Sequence, residues 1–354
     1  MGLLEETLGA IRPLDADAER AAAAHLDSLT KPPGSLGYLE KAVRRYAAIR
    51  GDGFARMGRA ALAVFVADHG IADEGVSAFP QAVTVEMLRN IASGGAAISV
   101  LARRFGYDLR VIDVGVKSDT SATPFPGVVY RRIGAGTANF ARGDAMTSAQ
   151  VTHALEAGIA VARDFAGNGV TLIGIGEMGI ANSTSAAAVL SAITKIAPVE
   201  LAGRGTGLDD AGVRHKVEVI ERALKLHRAS LATGEMILGA MGGFEIAAMT
   251  GVCLAGAALR VPVVVDGFIA TAAAAAAEKI RPGLFEYLFF SHRSAEGGHA
   301  LALQKLGAHP ILDLDMRLGE GTGAALAMSV LESGLELFHS MATFSSAGVS
   351  GKVR

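Results

Sequence analysis

The spacing of hydrophobic and polar positions changes near Arg59. Before it, stretches such as DAERAAAAHLDSL (17–29) place apolar residues at helical intervals, with acids ahead of bases, and predict helices. Lys31-Pro32-Pro33-Gly34 interrupts this pattern, and Ser35 offers an N-cap for a helix over LGYLEKAVRRYAAI (36–49). From Arg59 onward, short apolar runs alternate with amphipathic segments. ALAVFVADHG (61–70), DLRVIDVG (108–115), VTLIGIG (170–176), VPVVVDG (261–267) and GLFEYLFFSH (283–292) predict strands. Residues 83–106, 182–196, 268–280 and 321–338 predict helices. Strand–helix alternation implies an α/β fold: a mostly parallel sheet with helices on both faces.

Three segments follow from this reading. Residues 1–58 read as helical, 59–330 as the strand–helix part, and 331–354 as a C-terminal helix and tail. AGVSGKVR (347–354) reads as a loose tail or extended arm. Ligands of open parallel sheets bind beyond the carboxyl ends of the strands. The loops to watch are therefore 67–80, 174–185, 265–268, 291–299 and 317–323.

Composition narrows the function classes. Of 354 residues, 51% are hydrophobic, only 5% aromatic, and 44 are glycine, a mixture suited to close strand–helix packing. A net charge of −2 without a basic block predicts no nucleic-acid binding. The single cysteine, Cys253, rules out an internal disulfide and reads as part of a buried helix. The longest uncharged apolar stretch, Ile246–Leu259, falls short of the about 20 residues a membrane span takes. With no basic-then-apolar signal pattern at the N-terminus, a cytoplasmic protein is expected.

Several loops carry candidate chemistry. Gly174–Gly179 spells G-x-G-x-x-G after a strand and before a helix, as a dinucleotide site requires. The ribose-gripping acid about 20 residues on has no good counterpart, since ITKIAPVE before Glu200 makes a poor strand. Glu177 within the loop would repel a pyrophosphate. The loop could hold one phosphate at the next helix N-terminus, or be a tight turn without a ligand. VVVDGFIATAAA (263–274) has one acid, Asp266, where diphosphate-dependent phosphoribosyltransferases carry two, so a magnesium site there is weak. Asp266 reads equally as a turn or capping residue. No H-x-H, H-E-x-x-H or G-x-S-x-G motif occurs, which argues against a zinc enzyme or a serine hydrolase; His299 reads as a helix-start residue. Glu320 stands between two glycines at the mouth of a helix, with Thr322 as a candidate N-cap. Glycines permit close ligand approach, so Glu320 reads as a ligand-facing base, or as a charge complementing the helix dipole.

Taken in order, LTKPPGSLG (29–37), DHGIADEGVSAFPQAVT (68–84), GIGEMGIANSTSAAA (174–188), GRGTGLDD (203–210), VVVDGFIATAAA (263–274), SHRSAEGGH (291–299) and LDMRLGEGTGAALAM (314–328) resemble the nicotinate-nucleotide–dimethylbenzimidazole phosphoribosyltransferase family of cobalamin lower-ligand synthesis. The resemblance implies transfer of phosphoribose from nicotinate mononucleotide to 5,6-dimethylbenzimidazole, without a metal or other cofactor, by a homodimer whose Rossmann-like catalytic domain (59–330) is joined by a smaller helical domain built from the N-terminal (1–58) and C-terminal (331–354) segments. It implies Glu320 as catalytic base and Glu177 as a second site acid. Gly176, Met178, Gly179, Gly203, Arg204, Gly205, Lys216, Asp266, Ser291 and Ser294 become candidates for the nucleotide and its phosphate. Ser77, Phe79, Gln81 and Leu318, together with Met178, would line the base pocket. For Lys216 a solvated helix lysine remains an alternative, and for Phe79 and Met178 plain core packing does. The rival functions are an NAD-dependent oxidoreductase and a non-catalytic nucleotide-binding protein.

Overall fold

The computed structural model describes residues 2–118, 120 and 124–350. Seven parallel strands form one sheet: β1 Arg59–Ala67, β2 Asp108–Gly115, β3 Val128–Tyr130, β4 Val170–Met178, β5 Val263–Val265, β6 Leu288–His292 and β7 Pro310–Leu312. Their spatial order is β3-β2-β1-β4-β5-β6-β7, all pairs parallel. The chain winds outward from β1 to β3 and then returns to the other side of β1. The reversal opens a crevice beyond the carboxyl ends of β1 and β4. Register sets Phe65 beside Glu177 and Val66 beside Met178, so the loop after β1 and the acid of β4 leave the sheet together.

Eight of the nine β1 residues are buried, as expected for a strand covered on both faces. Helices Ser148–Gly167 and Phe244–Leu259 pack on one another almost backbone to backbone. A Cβ on Gly158 would come within 1.8 Å of the Ala248 carbonyl, and one on Gly251 within 2.0 Å of that of Leu155. Small residues are thus a packing requirement here, which accounts for a large core with few aromatics.

The helix over 268–280 is found as Phe268–Ile280, and the last long helix as Thr322–Ser340. Other expectations need correction. The single helix over 83–106 is two, Ala82–Ala92 and Ala97–Phe105, because Gly94 turns the chain at φ 86°. Ser35 caps nothing: the helix Tyr38–Arg50 begins after Gly37, and the Glu40 carboxylate accepts from the Leu36 N–H (3.0 Å) and pairs with Lys31 (2.8 Å). The first part of GLFEYLFFSH is a 3₁₀ turn, Leu284–Tyr287, before β6. Thr322 lies inside its helix, and its hydroxyl donates to the Gly319 carbonyl at 2.8 Å.

A second, smaller apolar cluster joins Ala22, Leu26, Leu29, Val43, Tyr46, Phe338 and neighbours, tying the N-terminal helices to the end of the last long helix. An antiparallel bridge from Leu29 to Thr343 closes it. The helix Thr322–Ser340 runs unbroken through position 330, where the sequence reading divided the chain. Of the tail, residues 351–354 lie outside the described residues. Among the described residues, no helix is long and apolar enough to cross a membrane.

Candidate active site

A cavity of about 290 Å³ lies at the carboxyl ends of the central strands. One wall is the loop after β1, through Val76, Ser77 and Phe79. The floor is the end of β4 with the start of the next helix. The far side carries Gly205 and Lys216, and Leu318 and Gly319 form the lip. Phe79 and Leu318 are 49% and 58% exposed, so neither is core packing.

Glu177 is buried at the cavity floor. Burial, then the charges of Asp266 and Glu245, push its carboxyl up to about 8; the Asn182 amide, which donates to Oε2, opposes this, and Glu320 adds to the rise. Gly319 passes so close that a Cβ there would meet Glu177 Oε1 at 2.5 Å. Lys216 is only 1% exposed, which excludes the solvated-lysine alternative. Its Nζ donates to Gly203 O (3.1 Å) and Ser183 Oγ (3.3 Å). Burial lowers its pKa, and the Glu296 carboxylate counters that.

The helix Asn182–Thr194 organises these groups through its opening turn. Asn182 holds Glu177, Ser183 holds Lys216, and Ser185 accepts or donates at 2.9 Å to His69 Nδ1. His69 Nε2 lies 2.6 Å from Glu245 Oε1, and all three members of this Ser–His–Glu chain are wholly buried behind the cavity.

Asp266 serves the fold as well as the cavity wall. Its carboxylate accepts from the Gly321 (3.1 Å) and Ala324 (3.0 Å) N–H groups, capping the last long helix from another strand. Burial raises its pKa, against the pull of His292 and of those N–H groups. Glu320 sits in the loop thus held, one residue past the cavity lip. It is a non-glycine residue at φ 63°, in the left-handed region. It is 5% exposed, and burial followed by the Asp266 charge raises its carboxyl. Among the described residues its carboxylate has no hydrogen-bond partner.

The structure thus brings Glu177, Met178, Gly179, Gly205, Lys216, Asp266, Ser294, Ser77, Phe79 and Leu318 to one cavity. It places others elsewhere. Gln81 is turned away: its amide donates to the His69 carbonyl (2.8 Å) and accepts from Lys117 (3.1 Å). Ser291 is fully buried, with its hydroxyl on the Asp266 carbonyl (3.0 Å) and His292. Gly203 and Arg204 face a neighbouring cleft, and Arg204 is held by Leu208 O and Asp210. Gly176 packs under the 320–321 backbone, where a Cβ would come within 2.3 Å of Gly321 N.

Sequence reasoning missed Asn182, Ser183, Glu296 and Arg317, which all line the cavity. The polar run NSTS at the start of an otherwise alanine-rich helix was the available signal for the first two. As for the glycine hexapeptide, Gly174 and Gly176 lie within β4 rather than in a loop. A Cβ on Gly174 would strike Leu62 at 2.6 Å, and one on Gly179 the Ala67 carbonyl at 2.4 Å. These glycines allow close packing, and the motif stands on the fourth strand rather than the first. The dinucleotide reading therefore has no geometric support.

A family profile described as phosphoribosyltransferase matches residues 11–349. The nicotinate-nucleotide–dimethylbenzimidazole phosphoribosyltransferase of Citrifermentans bemidjiense is 47% identical over 350 residues, covering 99% of both chains. Its Chlorobaculum parvum counterpart is 48% identical over 98% of both. The crystal structure of CobT from Thermus thermophilus superposes with a TM-score of 0.89 at 43% identity, covering 95% of this chain and all of that one. The chain is a member of the nicotinate-nucleotide–dimethylbenzimidazole phosphoribosyltransferase family.

Proposed function

We propose that the chain transfers phosphoribose from nicotinate mononucleotide to 5,6-dimethylbenzimidazole, releasing nicotinate and forming α-ribazole 5′-phosphate for the nucleotide loop of cobalamin. The observation that carries this reading is the meeting of the buried Glu177 carboxyl and the buried Lys216 at one switch-point cavity, with Glu320 one residue past its lip. One acceptor nitrogen attacks the anomeric carbon with its lone pair. The bond from that carbon to the pyridinium nitrogen breaks, and its electrons stay on the ring that leaves as neutral pyridine. Attack from the opposite face inverts a β nucleotide into an α product.

The proton on the second acceptor nitrogen becomes acidic as the first nitrogen bonds. Glu320 takes it, in a loop whose strained backbone Asp266 holds in place. A left-handed non-glycine residue costs about 1 kcal/mol and persists where surrounding structure enforces it, a pattern concentrated at functional sites. Glu177 faces the ribose, where its protonated carboxyl can donate a hydrogen bond. Lys216, Gly205 and the helix N-terminus at Asn182 receive the phosphate. Phe79, Met178 and Leu318 flank the flat base, with Ser77 as a polar handle. Phe79 and Leu318, apolar and exposed at the cavity edge, support closure by a second copy in a homodimer.

The test is direct. The protein is incubated with nicotinate mononucleotide and a panel of benzimidazoles, purines and phenols, and products are read by mass and NMR. Free nicotinate with an equal amount of α-linked product supports the reading. Reduction of NAD, or binding of the mononucleotide without turnover of any base, overturns it.

A further inference from the structure

Glu74 has no part in the cavity, yet it ties two cavity walls together. It ends the 3₁₀ turn Gly70–Glu74, directly before Val76, Ser77 and Phe79. Its carboxylate accepts from Asn139 Nδ2 (2.7 Å) and from Arg142, through Nη2 at 3.1 Å and Nε at 3.2 Å, all on Oε1. Oε2 accepts from Arg222 at 2.5 Å, and the Glu74 carbonyl lies 2.6 Å from His215 Nε2. Arg222 and His215 belong to the helix Asp210–Leu226, which carries Lys216. His215 and Arg222 are seven residues apart and share a helix face, next to the face that buries Lys216.

The side chain is 14% exposed, although its arginine partners are 72% and 53% exposed. The Asn139 amide and the two guanidinium groups hold its carboxyl below the usual range. The other side-chain hydrogen bond between this loop and the 203–226 segment, among the described residues, is the long Ser77–Thr206 contact at 3.4 Å. The carboxylate, braced by Asn139, Arg142 and Arg222, and the carbonyl of the same residue, on His215, therefore tie the wall assigned to the acceptor base to the wall assigned to the phosphate.

We infer that Glu74 is a positioning residue that fixes the width of the acceptor pocket and so selects which aromatic base is used. The inference rests on the transfer reading above. Without the brace, the loop bearing Ser77 and Phe79 drifts while the donor wall stays, because the helix Asp210–Leu226 keeps its own anchor in buried Val219, Ile220 and Ala223. A pocket discriminates by one or two methyl groups only while its walls hold their spacing.

The experiment compares wild type with Glu74→Ala, Glu74→Gln and Arg222→Ala. Each is assayed on nicotinate mononucleotide with dimethylbenzimidazole and with unsubstituted benzimidazole. For Glu74→Ala, KM for dimethylbenzimidazole rises about tenfold and the preference for it over benzimidazole shrinks about fivefold, while KM for the mononucleotide stays within about twofold. Glu74→Gln, which can still accept from Asn139, recovers part of the preference. Arg222→Ala alters a half-exposed side chain, folds if Glu74→Ala does not, and moves both readouts the same way by less. An unchanged base preference in the variants that fold overturns the inference, and so does a loss of kcat shared equally by all bases.

If wild type turns over no base, the transfer reading has failed separately. The brace is then judged by hydrogen exchange. Exchange across residues 75–80 should speed up about tenfold in Glu74→Ala or Arg222→Ala, and unchanged exchange overturns it.

Discussion

A carboxyl group that keeps its proton near neutral pH can donate a hydrogen bond, where an ionised one only accepts. Glu177 is such a group: burial and neighbouring acids push it up to about 8, against an ordinary 4.5. Between those values the folded protein holds a proton that the unfolded chain has released, so stability falls as pH rises through that window. Glu177→Gln removes this slope. Its stability relative to wild type is expected to improve by up to about 1 kcal/mol per pH unit from about pH 5 to about pH 8, and to level off above. Urea unfolding at stepped pH measures it, and parallel curves for the two proteins would contradict it. Below about pH 4.5 both states bind the proton, and the stability difference no longer changes with pH. At this scale the sequence told which acids stand among glycines, so Glu177 and Glu320 could be singled out, while Lys216, within the helix Asp210–Leu226, stayed open between a solvated and a ligand-facing lysine. It could not tell which way a side chain turns. Gln81 and Ser291 sit in the right loops but spend their polar atoms on backbone and on neighbouring side chains.

Most capped helices use their own N-cap side chain, such as Asp15, Thr147 and Asp209, but one is held by a residue from elsewhere in the chain. The last long helix has no side-chain cap of its own, and Asp266 from the end of β5 fills that place. Asp266→Ala leaves two buried N–H groups without an acceptor. It is expected to cost about 2 kcal/mol in urea unfolding, with Asp266→Asn costing less. An unchanged midpoint for Asp266→Ala would mean that the cap contributes nothing. Such a cap, about 55 residues away along the chain, has no local signature, so the sequence left Asp266 open between turn, cap and ligand. Strands β1 and β4 were plain because burial on both faces makes near-continuous apolar runs. The edge strands β3 and β7 have three half-buried residues each, too few to show any period. The break at Gly94 was hidden because helical spacing resumes on its far side.

Across the whole molecule, the order of strands decides where chemistry can happen. Reversal between β1 and β4 brings together positions 76, 177, 216, 266 and 318, which share no sequence neighbourhood. Alternating strands and helices predicted the parallel sheet, but which loops share a wall depends on strand order and register. The Glu74 brace shows the same dependence, since its partners come from positions 139, 142, 215 and 222. The central claim is that this cavity transfers phosphoribose, with Glu320 as the proton acceptor. Steady-state kinetics of Glu320→Gln against wild type, with titration of nicotinate mononucleotide onto each, tests it most directly. The account predicts kcat lower by about 10²–10⁴-fold with mononucleotide affinity within about twofold of wild type. An unchanged kcat, or loss of donor binding in place of turnover, would contradict it.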